Sequence, residues 1–268
     1  MALGGGGVRG LAHGPALEAI DAAGLKPVAI AGTSMGAIMG ALYASGKTGK
    51  EIRQLTERHI VSRDDGLKDV YAKKDTLLTW LRTVRIAWDR SGLLKADGFV
   101  RYLTEQMAAT CFEDLKIPLR VVATDFYSGE PFVFDSGPLL PALKASMAIP
   151  GVFVPVEYAG RILVDGGLSN NLPYDVLPDE CRLDIAVDVR PLRERQNPDP
   201  PHMVTAILGM FDIMLDRMTR AKLREQPPAL LFHPPIAGVH ILEFDKAASV
   251  LKQTAAALPD FKAQLDQK

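Results

Sequence analysis

Val28-Ala29-Ile30-Ala31, then Gly32-Thr33-Ser34-Met35-Gly36, then the small-residue run Ala37 to Ala44: in that order the chain reads strand, sharp turn, helix. This context gives the pattern G-x-S-x-G its chemical meaning. A serine between a strand and a helix that nearly touch sits in strained backbone and lifts its hydroxyl above the sheet edge. Gly32 and Gly36 are expected where a Cβ would collide with the neighbouring element. Ser34 is therefore the candidate nucleophile.

Upstream, Met1-Ala2-Leu3 reads as the end of a first strand, short enough for a natural start further upstream. Gly4-Gly5-Gly6-Gly7-Val8-Arg9-Gly10 follows. It opens a helix with Val8, Leu11, Ala12, Ala16, Leu17 and Ile20 on one face and Gly24 as its stop. Strand, glycine loop, helix, strand, elbow, helix make a right-handed parallel unit. A glycine loop at a helix start leaves several amides unpaired and convergent, which is an anion site. A phosphate would make Gly5-x-Gly7-x-x-Gly10 a dinucleotide fingerprint. That fingerprint needs an acid at the end of the next strand, where Ala31-Gly32-Thr33-Ser34 stands instead. The other anion is the oxyanion of a tetrahedral acyl intermediate, which a serine elbow on the adjacent strand requires. Ser45-Gly46-Lys47-Thr48 resembles the end of a phosphate loop, but it lacks the first glycine and follows a helix.

The 268 residues are 47% hydrophobic, enough for one substantial core. One domain over 1–268 is expected, with a helical C-terminal part from 201. Lys and Arg number 31 against 32 Asp and Glu, so nothing draws the chain to nucleic acid. Cys111 and Cys181 have no metal spacing and read as reduced thiols of a cytoplasmic protein. No run approaches ~18 apolar residues, and the start has no basic, apolar leader; neither a membrane span nor a signal peptide is expected.

Further along, Thr48 caps a helix from Gly49 to Ile60, and Asp97 caps another from Gly98 to about Ala109. Leu119 to Asp125 and Glu130 to Phe134 read as paired strands, and Leu139 to Met147 as a helix. Ala148 to Pro155 is a rigid apolar loop. Arg161 to Val164 is a strand that delivers Asp165-Gly166-Gly167, a carboxylate in a tight turn. Asp184 to Val189 and Leu230 to Phe232 are further strands, with helices from Phe244 onward. Met203, Ile207, Met210, Phe211, Met214 and Met218 mark one face of a long helix. The ordinary reading of that stripe is core; the other is an acyl-chain pocket.

A serine nucleophile needs a base. An α/β-hydrolase triad would run Ser34, Asp188, then His202, His233 or His240. Against it, the elbow comes after a single short strand, and none of these histidines has a distinctive surrounding pattern. His13, one turn beyond Arg9, is expected to bond near the glycine loop and not to act as base.

Gly-Gly-Gly-x-Arg-Gly at Gly5 to Gly10, G-x-S-x-G at Gly32 to Gly36, and Asp-Gly-Gly at Asp165 to Gly167 occur in an order that resembles the patatin-like phospholipases. Ala145-Ser146-Met147-Ala148-Ile149-Pro150 and Asn170-Asn171-Leu172-Pro173 are similar to that family too, closest to its short bacterial members, over Met1 to about Arg190. The resemblance implies a three-layer α/β/α fold with a mostly parallel central sheet. It implies hydrolysis of lipid acyl esters with no metal and no cofactor. Ser34 would be the nucleophile, Asp165 its base, and the amides of Gly5, Gly6 and Gly7 the oxyanion hole. Arg9, Gly32, Gly36, Gly166 and Gly167 would support them. A free aspartate titrates near ~3.9, too low for a base near neutrality. Ile149, Val152, Phe153 and Val164 are the expected apolar walls that desolvate Asp165.

The implied partner is a lipid or acyl-ester substrate, with peripheral contact to a membrane; the sequence is silent on oligomeric state. Leu77 to Trp88 carries both tryptophans and Arg82 and Arg85, and reads either as a helix packed on the sheet or as an interfacial lid. Two rival classes are a patatin-like scaffold that binds lipid or a partner with little turnover, and a dinucleotide-binding protein.

Overall fold

The computed structural model describes residues 1–57, 104–178, 183–192, 200–201 and 203–268, with the backbone alone at 204 and 205. The segment Leu77 to Trp88, most of the helix expected from Gly98, and Cys181 and His202 lie outside the described residues.

Eight strands form one mixed sheet: β1 (Ala2–Leu3), β2 (Ile30–Thr33), β3 (Leu119–Asp125), β4 (Pro131–Phe134), β5 (Val156–Tyr158), β6 (Arg161–Asp165), β7 (Ile185–Val187) and β8 (Leu230–Phe232). Their order is β5-β6-β3-β2-β1-β7-β8, with β4 also on β3. β3, β2, β1, β7 and β8 run parallel. Such strands are covered on both faces and read as continuous apolar runs, and β1, β2 and β7 are buried at every residue.

The helices are α1 (His13–Ala22), α2 (Met35–Ala44), α3 (Gly49–Glu57), α4 (Leu139–Ser146), the single turn α5 (Gly167–Asn170), α6 (Met203–Glu225) and α7 (Ala247–Leu265). The two sheet faces differ. Leu3, Ile30, Val121 and Val187 point into the main core with residues of α1, α2, α4 and α7. Ala2, Ala31 and Ala186 point the other way, onto Leu172, Tyr174, Leu177 and Leu223 of α6. The alternation of small and large residues follows from the period of two along a strand. α2 is buried all round, as a helix with apolar and small residues on every side must be. α7 closes the main core: the ring of Phe261 stacks on Phe232 of β8 at 4.3 Å.

Local signals hold where chemistry constrains the backbone. Gly24 has φ +73° just past α1, and Thr48 with Glu51 forms a reciprocal cap on α3. β2 starts later than the apolar run suggests; Val28 is exposed and the strand extends to Thr33. β5 was not expected. Its hairpin to β6 turns at Ala159 and Gly160, both with positive φ.

The apolar stripe of the long helix is corrected. Met203, Ile207, Met210, Met214 and Met218 are 40–75% exposed, not core; Phe211 alone of that set is half-buried. The opposite face goes inward because it carries Asp212 and Asp216, which pair with the buried guanidinium groups of Arg9 and Arg190. A buried cation left without its anion costs more than exposed methionines do.

Candidate active site

Register brings Ser34 and Asp165 together. On β3, Val121 and Val122 pair with Gly32 and Thr33 of β2 on one side and with β4 on the other. Ala123 pairs with β4 and with Asp165 of β6. β2 and β6 therefore share one edge of β3 and run towards each other. Thr33 sits opposite Val122 and Asp165 opposite Ala123, so the two strand ends meet over adjacent residues.

Ser34 has φ 53° and ψ −123°, a region that disfavours any residue with a Cβ. What holds it there is specific. Its amide donates to Ser146 Oγ at 2.8 Å, and Ser146 Oγ donates to the carbonyl of Val122 at 2.6 Å. Thr33 Oγ1 donates to the carbonyl of Asn170 at 2.8 Å. The flanking glycines are sterically required: a Cβ on Gly32 would lie 2.6 Å from Ala37 Cα, and one on Gly36 would overlap the carbonyl of Leu3.

Asp165 is 8% exposed. The Gly167 amide donates to its Oδ1 at 2.8 Å, and Ser34 lines the same cavity as this carboxylate. Burial pushes its pKa up to about 6, and the Gly167 amide and the nearby Ser34 hydroxyl oppose that rise. Gly166 is required because a Cβ there would overlap the Val122 carbonyl. The desolvating wall differs from expectation. Ile149 lines the cavity shared by Ser34 and Asp165; Val152, Phe153 and Val164 do not. Leu208, Phe211 and Leu215 of α6 roof it instead, with Ile241. The cavity is about 20 Å³, room for about one water.

The glycine loop runs into a 3₁₀ turn at Gly7–Ala12 before α1 begins. Gly5 donates to the Asn171 carbonyl at 3.0 Å and accepts from Asn171 Nδ2 at 3.3 Å. Its amide is therefore engaged, and Gly6, which lines the cavity, and Gly7 carry the amides without a backbone partner among the described residues. Arg9 is 1% exposed and forks onto Asp212, with Nη1 also donating to the Val239 carbonyl at 3.2 Å. It ties the glycine loop to α6. His13 is fully buried and bonds the Gly4 carbonyl at 2.8 Å, which makes Nε2 the protonated nitrogen.

Among the described residues the triad does not assemble: Asp188 Oδ2 and His233 Nδ1 lie 3.4 Å apart, but neither residue lines the cavity of Ser34. Asp188 is held by Arg190, with Nε 2.9 Å from both carboxylate oxygens. His233 Nδ1 meets the Asp188 carbonyl at 2.9 Å, and His240 is exposed. No described histidine lines the cavity. Among the described residues no group of three or more His, Cys, Asp or Glu could hold a metal, and no helix is long and apolar enough to cross a membrane. Sequence reasoning missed the role of Asn171 and of Ser146, although both lie in quoted family blocks. It also missed Asp212 and Asp216, whose signal was two acids four residues apart among the apolar residues Ile207 to Leu215.

The sequence profile of the patatin-like phospholipases matches residues 1–178. The chain belongs to that family. Among relatives of this patatin-like protein, an uncharacterized NTE family protein of Mycobacterium bovis is 36% identical over 65% of this chain and 43% of its own. The uncharacterized protein YqhO of Bacillus subtilis is 34% identical over 72% of each chain. The neuropathy target esterase sws of Drosophila melanogaster is 31% identical over 66% of this chain and 12% of its own. The patatin-like chain thus spans less than half the length of its mycobacterial relative. Among solved structures, VipD from Legionella pneumophila aligns with a TM-score of 0.52 at 14% identity, over 97% of this chain and 66% of that one; the likeness is one of fold.

Proposed function

We propose that this chain is a serine hydrolase of carboxylic esters in lipids, working through a Ser34–Asp165 dyad and an acyl-enzyme. The observation that carries the proposal is Ser34 on an elbow at positive φ, sharing one cavity with a buried carboxylate whose pKa is raised. Family membership supports the substrate class.

Asp165 takes the Ser34 proton as Oγ bonds to the ester carbonyl carbon, and the π pair moves onto the carbonyl oxygen. The Gly6 and Gly7 amides receive that oxyanion; Gly5 serves by shape, held on Asn171. Collapse expels the alkoxide, which takes the proton from Asp165 and leaves as the alcohol. Water then attacks the acyl-Ser34 carbonyl and gives a proton to Asp165. The second collapse releases the fatty acid and returns that proton to Oγ. The Gly167 bond fixes the carboxylate rotation through the cycle. The apolar lining, Leu208, Phe211, Leu215, Ile149 and Ile241, suits an acyl chain.

The test is labelling with a fluorophosphonate, then an ester panel of graded acyl length. The wild type should label once, at Ser34, and Ser34→Ala should neither label nor turn over. A wild type that neither labels nor hydrolyses any ester leaves the scaffold reading.

A further inference from the structure

We infer that the exposed face of α6 is the surface by which the chain adsorbs to an anionic lipid bilayer. The inference rests on the hydrolase reading only for its biological sense; the surface itself is read from α6. Among the described side chains, the exposed residues from Met203 to Arg224 are apolar or basic: Met203, Ile207, Met210, Ile213, Met214, Met218 and Ala221, beside Arg217, Arg220 and Arg224. The exposed acid of the helix is its last residue, Glu225, beyond this face. The two acids of that stretch, Asp212 and Asp216, are turned inward. Apolar groups flanked by arginines match the layered chemistry of a bilayer, hydrocarbon beneath anionic headgroups. Methionine, flexible and polarizable, suits a fluid partner better than a fixed one.

A second copy of this chain fits less well. From Met203 to Met218 the face is about 22 Å long and one helix wide, well short of the ~800 Å² that each partner gives to a stable interface. Pairing two such faces would also bury Arg217 with no exposed acid between Met203 and Met218 to meet it. Orientation favours the bilayer as well. The same helix turns Leu208, Phe211 and Leu215 onto the cavity above Ser34, so its outer face lies directly over the site. Phe126 and Tyr127, 55% and 83% exposed, stand at the tip of the β3–β4 turn, at the end of the sheet where β2 reaches Ser34. Docking by α6 brings the roof of a one-water cavity against the phase that holds the ester.

The experiment is sedimentation with vesicles of phosphatidylcholine alone and of phosphatidylcholine mixed with phosphatidylglycerol. The proteins are the wild type, M210Q/M214Q and R217Q/R224Q, each also assayed on a soluble short-chain ester. The wild type should partition onto the mixed vesicles and less onto the neutral ones. M210Q/M214Q should lose about tenfold or more in partition, and R217Q/R224Q about fivefold per arginine on mixed vesicles only. Turnover of the soluble ester should be unchanged in both. Equal partition of all three proteins overturns the inference. So does a wild-type dimer, seen by light scattering, that M210Q/M214Q dissociates while none of the proteins binds vesicles. Binding is read without turnover, and fluorophosphonate labelling reads Ser34 alone, so either reading can fail while the other stands.

Discussion

Arg9 Nη2 lies 2.6 Å from Oδ1 of Asp212, a buried pair that joins the glycine loop to α6 across 203 residues of chain. The second contact, Nη1 to Oδ2 at 3.1 Å, makes the fork bidentate. Removing one partner leaves a buried charge alone. Asp212→Ala should therefore destabilise by about 3–5 kcal/mol, measured by denaturant unfolding. Replacing both, as R9M/D212L, should recover most of that loss. A single variant as stable as wild type would mean that the pair holds nothing in place.

Ser34 predicts an unusual order of stabilities. A side chain at φ 53° and ψ −123° costs on the order of 1–3 kcal/mol, while glycine there loses about 0.5–1 kcal/mol of chain entropy. Ser34→Gly should thus be more stable than Ser34→Ala by about 1 kcal/mol, both being inactive. Equal or reversed melting temperatures would show that the elbow is unstrained.

Legibility followed locality. Gly32, Gly36 and Gly166 could be read as close approaches because a missing Cβ is written at the position that needs it. The order of three such blocks gave the fold and the family, and it named Ser34 and Asp165, two residues that the strand register brings to one cavity. The orientation of α6 could not be read: a helical stripe says which residues share a face but not which way it turns. That was decided by Arg9 and Arg190, distant cations that draw Asp212 and Asp216 inward. The engagement of the Gly5 amide could not be read for the same reason, since its acceptor is the Asn171 carbonyl, 166 residues away.

Ser146 bridges the Ser34 amide and the Val122 carbonyl with one hydroxyl. Ser146→Ala leaves both groups buried and unpaired, a loss of about 1–3 kcal/mol. Because the amide it holds belongs to the nucleophile, kcat on a soluble ester should fall about tenfold or more with little change in KM. Unaltered kcat in a destabilised variant would confine Ser146 to packing.

His13 should act on stability and not on catalysis. Burial pushes its pKa down to about 4, against ~6.5 when unfolded. Its contribution is complete above ~6.5 and is lost as pH falls towards 4, because the unfolded chain binds the proton first. His13→Gln, which can still donate to the Gly4 carbonyl, should flatten the stability curve across that window. The pH profile of kcat should keep its shape; a shifted profile would place His13 in the proton path.

Asp165 carries the opposite sign. Its folded pKa is about 6 and its unfolded one ~3.9, so between those values the folded chain holds a proton that the unfolded chain has lost. Stability from this group is full below ~3.9 and declines as pH rises to about 6. The ionised carboxylate then costs about 3 kcal/mol near neutrality. Asn keeps the shape without the charge. Asp165→Asn should gain stability over wild type, by an amount that grows from pH ~4 and levels off above about 6. Wild-type kcat/KM should rise to half its plateau at about 6 and level off roughly one pH unit above that, since only the ionised carboxylate can take the Ser34 proton. The variant should lose about 10³-fold or more at every pH. One group thus couples two curves: activity is half-maximal at the pH where the stability difference levels off, about 6. The measurements are denaturant unfolding and soluble-ester kinetics over that range. If those two pH values differ by more than about one unit, Asp165 is not the base.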